Sequence, residues 1–137
     1  MEQHRGCTEK AITDLPARDE TAALEAAAGD ADLARELVES LVRGLPKELS
    51  GLQRCFAQND WSLLAEAAHR MRGATSYCGV PAIDNCLQEL ERVAKTGDRE
   101  GVRLGIERVE QEMQRLTNAV RSQHAKDSRI EANSGLT

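Results

Sequence analysis

The chain has 137 residues, a formal charge of −5 and 40% hydrophobic residues, which suits one globular domain with a single modest core. Its charges are dispersed and it holds one Trp, one Tyr and one Phe, so it lacks the basic stripe and stacking aromatics of a nucleic-acid-binding protein. No apolar run approaches the roughly 18 residues of a membrane span, and the N-terminus has no signal-peptide core. We therefore expect a cytoplasmic chain without membrane contact.

The first half of the chain is predicted to hold a leader and two helices. Residues 1–16 have mixed charge and weak periodicity and are expected to form a flexible leader. An Ala-rich segment with early acidic residues predicts a short helix over about 17–28, closed by a glycine. The next helix contains Gly44 and Pro46, which predict a kink or a short break. Its apolar stripe consists of Leu33, Leu37, Val38, Leu41, Val42 and Leu45.

Three further helices complete the predicted fold. Asp60 is a plausible N-cap for the third, and "GVP" ends it and begins the fourth. The predicted ranges are about 61–78, 81–96 and 98–122. Residues 122–137 have no apolar stripe and are predicted to be a disordered tail. Because no strand pattern competes, the sequence predicts an all-α fold over 17–121, an antiparallel up-and-down four-helix bundle with a short additional N-terminal helix.

His69 is predicted to lie on the exposed face of the third helix. At about 100° per residue, Leu64, Ala68 and Met71 mark the buried side, and His69 falls about 140° from Leu64. Its neighbours on that face are small, and one of them is a glycine that costs roughly 0.8 to 1 kcal/mol relative to alanine. We call this patch of small side chains around His69 the clearing, and it indicates that another protein surface can approach the imidazole closely. The small neighbours are Ala65, Gly73 and Ser76, and the flanking cations are Arg70 and Arg72.

The chemistry available to one exposed histidine is limited. A neutral imidazole is nucleophilic and can be phosphorylated on a ring nitrogen. The chain has no nucleophile elbow, P-loop, HExxH pair or Gly-rich dinucleotide loop, so it does not suggest a self-sufficient enzyme. Its four cysteines and three histidines lack the spacing of a metal site or a disulfide framework, and we expect buried or half-buried thiols. These residues are Cys7, Cys55, Cys78, Cys86, His4, His69 and His124.

The segment "LLAEAAHRMRGATSYCGVPAIDNCLQELE", residues 63–91, resembles the histidine-containing phosphotransfer (HPt) domain. An alanine precedes the histidine, Arg72 and Gly73 stand third and fourth after it, a further glycine stands tenth, and "LE" closes the segment. The variant "HRMRGATSYCGVP" is most similar to the C-terminal HPt module of hybrid sensor histidine kinases of the BarA/GacS type. The resemblance covers about residues 17–120.

This resemblance implies a bacterial two-component phosphorelay intermediate that is monomeric and has no ATP or metal site of its own. Nε2 of His69 would accept a phosphoryl group from an aspartyl phosphate of a receiver domain in a hybrid sensor kinase, then pass it to a response-regulator receiver. The receiver would supply the Mg²⁺ and most of the charge that stabilises the transition state, because phosphoryl transfer is dominated by charge and positioning. Gly73 would keep the approach open, and Arg72 would neutralise phosphoryl charge.

Three points stay open at the level of sequence. The facing helix should orient the His69 ring, and counting from the predicted turn favours Gln88 first and Glu91 second. Tyr77 could rim the docking surface or sit half-buried. The alternative function is a helical adaptor that binds a signalling partner through the same face without phosphorylation.

Overall fold

The computed structural model describes residues 15–136, with side chains described as far as residue 123, and consists there of five helices without strands. The predicted leader falls almost wholly on residues 1–14, outside the described residues. None of the helices within the described range combines the length and apolar character needed to cross a bilayer. The helices are α1 (Glu20–Ala26), α2 (Ala31–Ala57), α3 (Trp61–Thr75), α4 (Pro81–Thr96) and α5 (Arg99–Leu136).

The helix starts follow from local sequence. Asp19, Asp30 and Asp60 each accept a hydrogen bond, at 3.1 Å, from a backbone N–H of the first turn of α1, α2 and α3 respectively. Pro81 stands at the start of α4, where its missing N–H costs no intrahelical bond. Gly97 closes α4 in the left-handed conformation, with φ of 72°.

Helices α2 to α5 form the predicted four-helix bundle. Each packs on its neighbour in sequence, and α5 closes the arrangement by packing on α2. The core between them is aliphatic, as the shortage of aromatic residues predicts. Cys55, Cys78 and Cys86 are buried free thiols, which confirms that expectation for them. The most deeply buried large side chains include Leu45, Leu52, Leu64, Leu87, Leu90, Val102, Val109 and Leu116.

The short α1 is held against the turn between α3 and α4. The N–H of Asp19 donates to the carbonyl oxygen of Gly79 at 2.7 Å. Gly79 has φ of +63°, and a Cβ there would lie 2.5 Å from the Asp19 carbonyl oxygen and 2.6 Å from the Ala23 nitrogen. Glycine is therefore required at this position by backbone conformation and by close approach at once.

Four details differ from the sequence-based prediction. Helix α2 runs unbroken through Pro46, so the predicted break is wrong and the kink stays a prediction; buried leucines on either side hold both halves of the helix against the core. Leu33 in the predicted stripe is 40% exposed, because Ala34 takes the buried position instead. Helix α3 ends at Thr75, and Cys78 follows in a turn. Helix α5 continues to Leu136, past its predicted end at about residue 122, because Gln, Ala, Lys, Arg and Glu favour helix without an apolar stripe.

Candidate functional site

His69 projects from the middle of α3 with its side chain 73% exposed. Leu64, Ala68 and Met71 on the same helix are buried. The helical periodicity thus predicted the direction of the imidazole correctly. An exposed ring in the middle of a helix is accessible to a second protein.

The ring is held from α4 by Glu91. Nδ1 of His69 lies 3.2 Å from Oε2 and 3.3 Å from Oε1 of this carboxylate. Gln88, the first choice from the sequence, is exposed and does not make this contact, so the second choice is correct. Counting residues from the turn located the right stretch of α4, but only the packing of α3 on α4 selects which side chain of that stretch faces the ring.

Glu91 is a buried carboxylate among cations. Nζ of Lys95 lies 3.0 Å from its Oε2, and Nη1 of Arg72 lies 3.5 Å from its Oε1. The hydrogen bond from Lys95 is the main reason that the pKa of Glu91 is lowered; burial opposes this, and His69 adds to it. Glu91 is therefore ionised at neutral pH and acts only as an acceptor.

An ionised acceptor determines which ring nitrogen carries the proton. Because a carboxylate cannot donate, His69 must present Nδ1–H to Glu91, which leaves the lone pair of the neutral ring on Nε2. Nε2 is then the nucleophilic atom, and it belongs to a largely exposed side chain. The geometry agrees with the nitrogen that the family resemblance implies.

The two arginines lie on opposite sides of His69. Arg72 is half-buried against α4, where its Nε is 3.9 Å from Oδ1 of Asp84 and its Nη1 approaches Glu91. Thr75 donates to the same Asp84 oxygen at 2.6 Å. Arg70 is 69% exposed and turns towards α2, 3.9 Å from Oε2 of Glu48. A role of either arginine towards a phosphoryl group stays a prediction.

The predicted clearing is only partly as expected. Gly73 and Ser76 are exposed, and a Cβ at Gly73 would meet no atom within 4 Å. Ala65, placed on the exposed face by periodicity, is buried at 6% exposure, so that prediction is wrong. A bundle helix packs on two neighbours, and the buried arc of α3 therefore extends to both sides of Leu64, covering Ala65 and Ala67.

Two grooves border the α3 surface near His69. The first lies between α3 and α4 and is lined by His69, Arg70, Glu91 and Lys95 among others. The second lies between α2 and α3, is mainly apolar, and includes Tyr77, which is 62% exposed. Tyr77 is therefore exposed at the edge of this groove and not half-buried, and its role in docking stays a prediction. Within the described part of the chain, no three metal-ligating side chains come together.

Lys95 and Asp84 are site residues that the sequence analysis did not single out. Glu91 and Lys95 form an i,i+4 acid–base pair on one helix, and that spacing was visible in the sequence. Asp84 had no comparable signal, because its link to the site runs through Arg72 and Thr75 on another helix.

Known proteins resemble this chain in sequence and in structure. The Hpt domain family matches residues 36–119. The chain is 36% identical over 85 residues to the sensor histidine kinase GacS of Pseudomonas protegens, an alignment that covers 62% of this chain and 9% of that protein. It is 31% identical over 78 residues to the signal transduction histidine-protein kinase BarA of Escherichia coli K12, covering 57% and 8% respectively. The chain thus spans a small fraction of the length of these relatives.

A solved structure agrees with the sequence relatives. The crystal structure of an HPT domain from a Shewanella sensor hybrid histidine kinase superimposes with a TM-score of 0.70 at 26% identity. The match covers 80% of this chain and 95% of that domain, so nearly all of the solved domain has a counterpart here.

Proposed function

We propose, because the chain belongs to the Hpt domain family, that it is a histidine phosphotransfer domain of a two-component phosphorelay and carries the phosphoryl group on His69. The donor is an aspartyl phosphate on the receiver domain of a hybrid sensor kinase, and the acceptor is the receiver aspartate of a response regulator. The observation that supports this best is the exposed His69 ring, held through Nδ1 by buried Glu91 within the family-matched segment.

The transfer step uses the lone pair on Nε2 of His69. Nε2 attacks the phosphorus of the aspartyl phosphate, the N–P bond forms, and the P–O bond breaks with its electron pair leaving on the aspartate carboxylate. The proton on Nδ1 stays in place, so the phosphorylated ring carries a positive charge. Glu91 accepts the hydrogen bond from that nitrogen and stabilises the charge as it develops. The second transfer is the reverse reaction with a different receiver.

The remaining expectations are part of the same proposal. Mg²⁺ is supplied by the receiver domain, and the chain itself needs no cofactor, since the charges at its site are carried by side chains. The domain acts as a monomer in the cytoplasm, in contact with receiver domains and with neither nucleic acid nor membrane.

The test is transfer from a phosphorylated receiver domain of a GacS-type or BarA-type hybrid kinase in the presence of Mg²⁺. We expect acid-labile, base-stable phosphate on the wild-type chain and none on His69→Gln. His124→Gln, outside the family-matched segment, is the matched control and should be labelled like wild type. Equal labelling of His69→Gln would contradict the proposal. Binding of the receiver without any label on wild type would favour the adaptor function.

A further inference from the structure

Asp84 lies near the start of α4, and its carboxylate faces α3. Its Oδ1 accepts a hydrogen bond from the hydroxyl of Thr75 at 2.6 Å and lies 3.9 Å from Nε of Arg72. Thr75 is only 2% exposed, and its hydroxyl is farther, at 3.2 Å, from the carbonyl oxygen of Arg72. The same oxygen of Asp84 is thus fixed by one residue of α3 and set against the side chain of another.

A charge at the start of a helix does not by itself require this arrangement. Asp84 is in the first turn of α4, where the positive end of the helix dipole stabilises a carboxylate. Asp32 has the same place in the first turn of α2 and is exposed. Asp84 differs from it in that the Thr75 hydroxyl orients its carboxylate towards a guanidinium.

Arg72 lies between two carboxylates of α4. Its Nη1 is 3.5 Å from Oε1 of Glu91, and the same oxygen is 3.3 Å from Nδ1 of His69. Its Nε is buried and has no hydrogen-bond partner among the described residues. Because Nε is 3.9 Å from Asp84, a shift of about 1 Å would complete a hydrogen bond of ordinary length. The guanidinium therefore has one contact next to the ring and one anchor away from it.

The two contacts of Arg72 differ in what their loss would leave behind. Without Arg72, Glu91 keeps Lys95 at 3.0 Å and the His69 ring as partners. Nη1 can therefore leave Glu91 for another anion. Asp84 would keep the hydroxyl of Thr75, which is uncharged. Of the two carboxylates, Asp84 is thus the one whose charge depends more on Arg72.

From these contacts we infer that Asp84 is a positioning residue for phosphoryl transfer: its carboxylate, oriented by Thr75, anchors Nε of Arg72 while Nη1 moves from Glu91 to the phosphoryl oxygens on His69. The inference rests on the proposed function of His69 and on the neutralising role that the family resemblance implies for Arg72. It adds a residue that acts through Arg72 and does not itself touch the phosphoryl group.

The sign of the effect distinguishes anchoring from plain electrostatics. Asp84 lies two helical turns before Glu91, about 10 Å along the helix axis. That distance is about one Debye length at 0.1 M salt, so the repulsion between Asp84 and an anionic phosphoryl donor is largely screened. If Asp84 acted through its charge alone, its removal would leave the reaction unchanged or make it faster. Anchoring predicts that its removal makes the reaction slower.

The experiment measures phosphohistidine formation from phosphoramidate by ³¹P NMR, so that no receiver and none of its charges take part. The variants are Asp84→Asn, Arg72→Met, the double variant and the matched control Asp32→Asn. We expect Asp84→Asn to react about fivefold more slowly than wild type, as for the loss of one partly exposed ion pair. In the double variant it should add no slowing to that of Arg72→Met, because it acts through the guanidinium. Asp32→Asn should keep the wild-type rate.

A second pair of variants tests the orientation of Asp84 without changing any charge. Thr75→Val removes the hydroxyl and should be slower than wild type, whereas Thr75→Ser retains the hydroxyl and should react at close to the wild-type rate. Urea unfolding shows which variants are folded. If Asp84→Asn does not fold, the comparison of the two Thr75 variants decides the inference, and equal rates in the two would overturn it.

The outcomes separate this inference from the proposed function. A wild-type or faster rate in Asp84→Asn, equal slowing by Asp84→Asn with and without Arg72, or a wild-type rate in Arg72→Met would overturn the positioning role. In each of these cases a phosphorylated wild type upholds His69 as the acceptor. A wild-type chain that neither phosphoramidate nor the phosphorylated receiver labels would overturn the proposed function itself.

Discussion

Replacing Gly73 with leucine should stabilise the fold and at the same time impair transfer from a receiver domain. Gly73 lies in the last turn of α3, one turn after His69, and is exposed. A Cβ at this position would meet no atom within 4 Å. The added Cβ therefore clashes with nothing in the domain, and we expect two effects of the substitution, one on helix propensity and one on access to the ring.

The two effects have opposite signs. Replacing a glycine by alanine or leucine stabilises a helix by up to about 1 kcal/mol in its interior, and by less in the last turn, where Gly73 stands. A leucine side chain between His69 and a docking receiver must be displaced or accommodated, which costs about 1 to 3 kcal/mol in a close-packed contact. That cost corresponds to a transfer that is about fivefold to 150-fold slower.

The comparison of Gly73→Ala with Gly73→Leu isolates bulk, since the two variants share a similar helix propensity. Urea unfolding should show both to be more stable than wild type. Transfer from the phosphorylated receiver should be slow only in the leucine variant, and phosphorylation by phosphoramidate, which needs little space, should be close to wild type in both. If the leucine variant accepts phosphate from the receiver at the wild-type rate, the clearing around His69 has no role in docking.

Two further predictions concern stability. Gly79→Ala should destabilise the domain by about 2 to 4 kcal/mol in urea unfolding, because positive φ and contacts of 2.5 and 2.6 Å with the α1 backbone force α1 to shift. The control is Gly51→Ala in α2, where a Cβ would meet no atom within 4 Å, and it should be neutral or stabilising. If Gly79→Ala lowers the free energy of unfolding by less than about 1 kcal/mol, the packing argument is wrong. The pKa of Glu91 is lower in the folded chain than the ordinary value for a glutamate, which is about 4.3. The ion pairs of Glu91 therefore stabilise the fold fully at pH values above that ordinary pKa. This stabilisation is lost as the pH falls through the lowered pKa. Glu91→Gln should therefore lose less stability than wild type between about pH 6 and pH 3, and an equal loss in both would show that these ion pairs do not contribute.

Much of the fold could be predicted from local features of the sequence. Asp30 and Asp60 marked helix starts because a side-chain oxygen caps only the N–H groups that follow it directly. The exposure of His69 followed from its angle to Leu64, since the period of a helix is a property of the backbone alone. The end of α5 was predicted less well, because residues without an apolar stripe still have intrinsic helix propensity.

The environment of the imidazole was decided by tertiary structure. Three features depend on how α3 and α4 are rotated against each other. They are the contact of the ring with Glu91 instead of Gln88, the burial of Ala65 and the contact of Arg72 with α4. That rotation is determined by interlocking side chains from several helices, far apart in the chain, and no local pattern contains it. The sequence by itself thus determined the helices and the exposed histidine, whereas only packing determined which carboxylate orients the ring and which lysine shares its groove.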